Sequence, residues 1–173
     1  SIQKNWCGRT SAPGTQAALA ALNRVPNRAA KILCGDREED YADQRERAGI
    51  RSASFEAAVN IICYAYAGLY LGRHYGNWLE KEAAPMGSQR RSSAIRGLQV
   101  KPLPAHHAFS RRLLPWILRE AWNAAAPLLA PHLPPARQNP LSARAFKGHV
   151  VEIIPHLPPP VLLMFQLNPR RVS

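Results

Sequence analysis

The chain has 173 residues, 46% of them hydrophobic, and a formal net charge of +12. That length suits one domain with a core of its own, and that charge repels the chain from itself and draws it to polyanions. Three cysteines, Cys7, Cys34 and Cys63, with no CxxC or CxxH pairing, argue against a disulfide framework, and Ser1 to Ala12 hold no apolar run of a signal peptide, so a cytoplasmic protein is expected.

In chain order, residues 1–13 read as an irregular arm and Gly14–Val25 as a short alanine-rich helix. Pro26 fits the first turn of a second helix, which stops at Gly35. Asp36 then caps a helix through Arg47, with acids early and Arg45 and Arg47 late, the order that suits the helix dipole. Gly49 ends it.

Ser52 or Ser54 caps the strongest element, Phe55 to about Leu71, in which only Glu56 and Asn60 interrupt the apolar side chains. A helix apolar nearly all round is buried. It is too short and too rich in tyrosine to span a membrane, which takes about 20 apolar residues. Residues 85–104 form a linker or long loop.

Ala105 to about Leu129 reads as a helix, kinked or broken at Pro115, which lacks the amide donor and clashes with the carbonyl of Arg111. A proline-rich turn follows at 131–140, then a last helix from Leu141 or Ser142 to about Ile154. The end, with its P-P-P-V-L-L-M-F run, reads as an extended tail, either an edge strand or an arm lying in a groove of the body or of a partner.

The expected fold is therefore mainly α, a compact bundle around a buried helix at about 54–72. It has a proline-rich irregular C-terminal part and an extended tail. One helical domain covers residues 1–157, and the tail covers 158–173.

Charge divides that domain. Residues 1–82 hold 11 basic and 9 acidic side chains, whereas residues 83–173 hold 12 basic and 2 acidic, Glu120 and Glu152. From Ala83 to Arg119 there is no acid at all. Within this stretch Arg90, Arg91, Arg96 and Lys101 alternate with Gly87, Ser88, Ser92, Ser93 and Gly97. Cations among small residues suit phosphate, because backbone N–H groups can then approach it too. Arg111, Arg112 and Arg119 add a basic edge to the following helix.

Other patterns point elsewhere. Tyr66, Tyr70, His74 and Trp78 recur every four residues, as in a stacking platform for single strands, but such a stripe on an apolar helix belongs to the core. The six histidines show no metal-ligand spacing. The acids Asp36, Glu38, Glu39, Asp40, Asp43 and Glu46 read as a solvated face rather than a metal site.

The function expected is phosphate-backbone binding of DNA or RNA with little sequence specificity, by the protein alone or as a small subunit of a nucleoprotein complex. Arg90, Arg91, Arg96, Lys101, Arg111, Arg112 and Arg119 are the contacts expected. No catalytic residue, metal or cofactor is assigned, and no membrane partner. The alternatives are a helical adaptor docking an acidic protein, with the C-terminal tail as docking segment, and a small metal- or Cys/His-dependent enzyme.

Overall fold

The computed structural model describes residues 13–35, 40–73, 79, 98–101, 114–133 and 139–167, with side chains of the first helix from residue 20 onward. The described residues form six α-helices and no β-strand: α1 Pro13–Cys34, α2 Tyr41–Arg47, α3 Ala53–Tyr70, α4 Leu114–Leu129, α5 Ala143–Ile153 and α6 Pro159–Met164. Single 3-10 turns extend α4 and α5, at Ala130–His132 and Ile154–His156.

The helix starts are held by side chains. Ser52 Oγ accepts the N–H of Phe55 at 3.1 Å, and Asn23 Oδ1 on α1 accepts the N–H of Ala53 at 2.9 Å, so two of the four orphan donors of α3 are satisfied. Ser142 Oγ caps α5 in the same way, accepting from Ala145 N at 3.3 Å. Gly35 and Gly49 stand just past the ends of α1 and α2 in the left-handed region, φ 78° and 65°, which costs a residue with a Cβ more than glycine.

Helix α3 is the buried post. Ala58, Val59, Ile62, Ala65 and Tyr66 have no exposed surface. Around α3 stand α4, through Leu118, Ala121, Trp122, Ala125 and Leu129, and α5, through Phe146, Val150 and Ile153. The Tyr66 ring stacks on Phe146 of α5, with centroids 3.7 Å apart and planes 11° apart, and Tyr70 and Trp122 complete the cluster at 5.1 and 6.1 Å. The Tyr66 hydroxyl donates to the carbonyl of Leu141 at 3.0 Å, which fixes the approach to α5. Tyr66 and Tyr70 thus serve the core, while His74 and Trp78 lie outside the described residues.

Two expectations need correction. Residues 158–167 are folded: after the α6 turn, Leu162, Phe165 and Leu167 are buried against the core. Pro159 and Pro160 lead the helix, where a missing N–H has no helical partner to lose. Gln166, at φ 58°, closes it: its N–H donates to the Leu163 carbonyl at 3.0 Å, and the Leu167 N–H donates to that of Leu162 at 2.9 Å. The run of prolines reads as a breaker in sequence but acts here as a helix start.

Pro26 lies inside a single 22-residue α1 rather than at the start of a second helix. Its missing donor removes the ladder bond to the carbonyl of Leu22, and Leu22 is on the exposed side, where water can take that place. Pro115 occupies the first turn of α4, which begins at Leu114. The expected helical residues 105–113 lie outside the described residues.

Because α6 closes the core, Leu162→Ala is expected to cost about 2–5 kcal/mol in chemical denaturation. Loss of under about 0.5 kcal/mol would mean that the α6 site collapses or was never packed.

Candidate nucleic-acid interface

Of the seven cations singled out in the sequence, Arg90, Arg91, Arg96, Arg111 and Arg112 lie outside the described residues. Lys101 is exposed. Arg119 is buried, with 8% of its surface accessible, so it is not part of a basic edge. Its Nε donates to the carbonyl of Lys101 at 3.0 Å and its Nη1 to that of Pro115 at 2.8 Å.

Arg119 belongs to a clamp. Asn123 accepts the N–H of Val100 at 2.8 Å and donates to its carbonyl at 2.9 Å, as an adjacent strand would. Trp122 Nε1 donates to the carbonyl of Leu98 at 2.8 Å. Two successive side chains of α4, Trp122 and Asn123, with Arg119 one turn before them, thus hold residues 98–101 against the body, with Val100 fully buried. The end of the Gly/Ser/Arg stretch is thereby anchored at a fixed place, and Lys101 projects beside it. Burial of Val100 explains the arrangement: both its backbone groups leave water and need partners.

A second group of cations was hidden by counting charge over half the chain. Residues 1–35 contain Lys4, Arg9, Arg24, Arg28 and Lys31 and no acid; the first acid is Asp36. The following acids cancel them in the sum, although they are separate in sequence. On α1, Arg24, Arg28 and Lys31 recur at i, i+4 and i+7 and so share one edge of the helix. All three are exposed. With Asn27 and Tyr41 they line a shallow open depression of about 230 Å³ between α1 and α2.

The side of α1 that faces α2 and the start of α3 fixes where this edge points. Asn23 reaches Ala53, and Asn27 Oδ1 accepts from Arg45 Nη1 of α2. Cys34 Sγ donates to the carbonyl of Gln44 at 3.4 Å, and Ala30 is fully buried. These four positions repeat at helical spacing, so they turn one face inward and leave the cations at the rim of the α1–α2 junction.

The other chemistries weigh less. Burial pushes the Cys63 thiol up to about 11, with Lys147 drawing it slightly down, so it stays protonated and unreactive at neutral pH. His132 and His149 stack face to face, centroids 3.8 Å and planes 12° apart, a pairing invisible in sequence. Parallel rings direct their lone pairs side by side rather than to one point. Among the described residues no group of three or more His, Cys, Asp or Glu side chains is placed to hold a metal ion. In the acidic cluster, Asp40 occupies the start of α2, and Asp43 and Glu46 are exposed; Asp36, Glu38 and Glu39 lie outside the described residues. No described helix is long and apolar enough to cross a membrane.

Compared with known proteins, the chain matches no family model, no curated sequence and no solved structure.

Two outcomes follow from this chemistry. Asn123→Leu keeps the volume but strands both backbone groups of Val100, and is expected to cost about 1–3 kcal/mol and to speed hydrogen exchange at the Val100 amide. Unchanged exchange would show that Asn123 does not hold the segment. Burial also raises the pKa values of the Tyr66 and Tyr70 phenols, as it does that of Cys63. All three groups are neutral when protonated and hold the proton more tightly folded than unfolded. The stability they contribute is therefore complete below their ordinary values, 9.0 for the thiol and 10.0 for the phenols, and is lost as pH rises through the folded values. The melting temperature is expected to fall above about pH 9, and Cys63→Ala is expected to move the onset upward.

Proposed function

We propose that the protein binds the phosphate backbone of nucleic acid, with little sequence specificity, and that the Arg24–Arg28–Lys31 edge of α1 is one of its contacts. The observation that carries this reading is an exposed row of three cations on one helix edge, inside a 35-residue stretch without an acid. Successive cations stand about 6 and 4.5 Å apart along the helix axis, close enough to follow neighbouring phosphates of one strand. Arginine grips phosphate oxygens bidentately, which favours Arg24 and Arg28 as the main anchors. Asn27 and half-exposed Tyr41 add neutral groups in the same depression, which can donate to phosphate oxygens.

The acid-free stretch from Ala83 to Arg119 remains a second contact in this reading, through Arg90, Arg91, Arg96, Lys101, Arg111 and Arg112. Arg119 is left out of it, because its guanidinium serves the clamp. The clamp supports the reading indirectly: a basic stretch tethered at 98–101 has a defined origin on the body.

A second reading, a helical assembly protein, is favoured by one observation. Leu22, Val25, Ile32 and Leu33 on α1 are 60–76% exposed. An apolar row of that kind suits a protein neighbour. The C-terminal segment is not the docking element in this reading, because Leu162, Phe165 and Leu167 are used internally. The two readings are compatible in a small subunit of a nucleoprotein complex.

The decisive measurement is fluorescence anisotropy with labelled single- and double-stranded DNA and RNA of about thirty nucleotides, at two salt concentrations. Binding is expected at low salt, weakening steeply as salt rises. Arg24→Gln with Arg28→Gln and Lys31→Gln is expected to weaken it tenfold or more and to reduce the salt slope by about 3. Absence of binding at low salt rejects the function; full binding by the triple variant rejects α1 as a contact.

A further inference from the structure

The apolar side chains that the described fold leaves most exposed all sit on α1: Val25 at 76%, Ile32 at 74%, Leu33 at 69% and Leu22 at 60%. Leu22, Val25, Ala29 and Ile32 are spaced 3, 4 and 3 residues apart, the repeat of a helix-pairing seam. The seam lies nearly opposite the Asn23, Asn27, Ala30 and Cys34 face, which packs on α2 and the start of α3, so nothing in the described fold covers it. The cations flank it on one side only, with Arg28 beside the seam and Arg24 and Lys31 one step further out. On the other side stand Pro26 and Leu33.

We propose that α1 pairs through this seam with α1 of a second copy of the chain, antiparallel, and that the pair presents one continuous basic surface to nucleic acid. The basis for a second copy is the self-complementarity that a two-fold interface demands. When the helices run antiparallel, Leu22 meets Ile32 of the partner subunit, and Val25 meets Ala29 of the partner subunit. The two outer layers are large against large, and the two inner layers medium against small. The pattern is the same read from either end, and the seam contains no charge that needs a counter-charge from a different protein.

The edges follow from the symmetry. A two-fold axis perpendicular to both helices keeps each edge on its own side of the pair. Both basic edges then share one side, and Pro26 and Leu33 of both copies share the other. Bare, the gathered cations repel across the axis, most strongly at Arg28. A phosphate backbone lying over them removes that repulsion. The seam is also short, about 15 Å from Leu22 to Ile32 along the axis. It falls well below the roughly 800 Å² per partner of a standard stable interface. Pairing is therefore weak alone and is strengthened by the polyanion. This second part rests on the nucleic-acid reading; the pairing itself does not.

The experiment is sedimentation velocity of the full chain across the micromolar range, alone and with a labelled duplex. A concentration-dependent monomer–dimer equilibrium is expected alone, shifting tenfold or more toward dimer when the duplex is added at low salt. Val25→Glu with Ile32→Glu, both at exposed positions, is expected to keep the helical circular dichroism spectrum, to remain monomeric, and to bind the duplex at least tenfold more weakly. Arg24→Gln with Arg28→Gln and Lys31→Gln is expected to pair as well as the native chain or better, because the repulsion is gone, while losing the duplex. A native chain that stays monomeric at all concentrations with and without duplex overturns the proposal and leaves the stripe to a different protein. A Val25/Ile32 variant that dimerises like the native chain overturns the choice of seam. Dimerisation by α1 without any binding of duplex keeps the pairing and rejects the nucleic-acid reading, so the two failures are distinct.

Discussion

Tyr66 is stacked on Phe146 at 3.7 Å, and its hydroxyl is bonded to the Leu141 carbonyl, so a single side chain joins α3 to α5 and to the residues that lead into it. Trp122 on α4 comes within 6.5 Å of the same Phe146 ring. Three helices distant in sequence thus meet at one aromatic cluster. Aromatic contacts of this kind add about 0.5–1.5 kcal/mol each beyond the area they bury. More important is what the cluster positions. With Trp122 held on one side by the rings, its indole N–H is free to grip Leu98, and Arg119 and Asn123 on neighbouring turns take Lys101 and Val100.

Polarity is distributed around this core by necessity. Residues 98–101 lie against α4, which supplies side chains to the backbone groups of Leu98, Val100 and Lys101. An arginine at position 119 adds nothing to the surface charge when its donors are pointed at buried carbonyls. The surface ion pairs, Glu56 with Arg51 at 3.5 Å and with Lys147 at 3.1 Å, are partly exposed and contribute little to stability. Their effect is to dress the α3–α5 seam, not to hold it.

The α1–α2 hairpin is built differently. Asn27 and Cys34 tie α1 to α2 through Arg45 and the Gln44 carbonyl, and Asn23 ties α1 to the start of α3 by accepting the Ala53 N–H. The large apolar residues of α1 point away from the body, with cations along one side of them. In an ordinary surface helix the apolar stripe turns inward. Among the described residues, the inversion on α1 brings the most exposed apolar side chains and a row of exposed cations together on one helix.

Much of the helical framework is legible in the sequence because its signals are local. Ser52, Ser142, Gly35 and Gly49 mark helix ends through backbone chemistry that depends on a few neighbours. The nearly continuous apolar run at 53–70 leaves a helix no option but burial. The net positive charge and its acid-free stretches are likewise properties of the chain itself. Proline was the misleading local signal: Pro26 continues a helix and Pro159 begins one, since the cost of a missing donor depends on whether that position faces water or a helix start. Only the tertiary structure decided which arginines face solvent and which serve the interior. Arg24 and Arg28 are exposed, whereas Arg119 is consumed by two carbonyls. The sequence assigns all three the same charge; burial and hydrogen-bond demand, which depend on residues far along the chain, determine where that charge can be used.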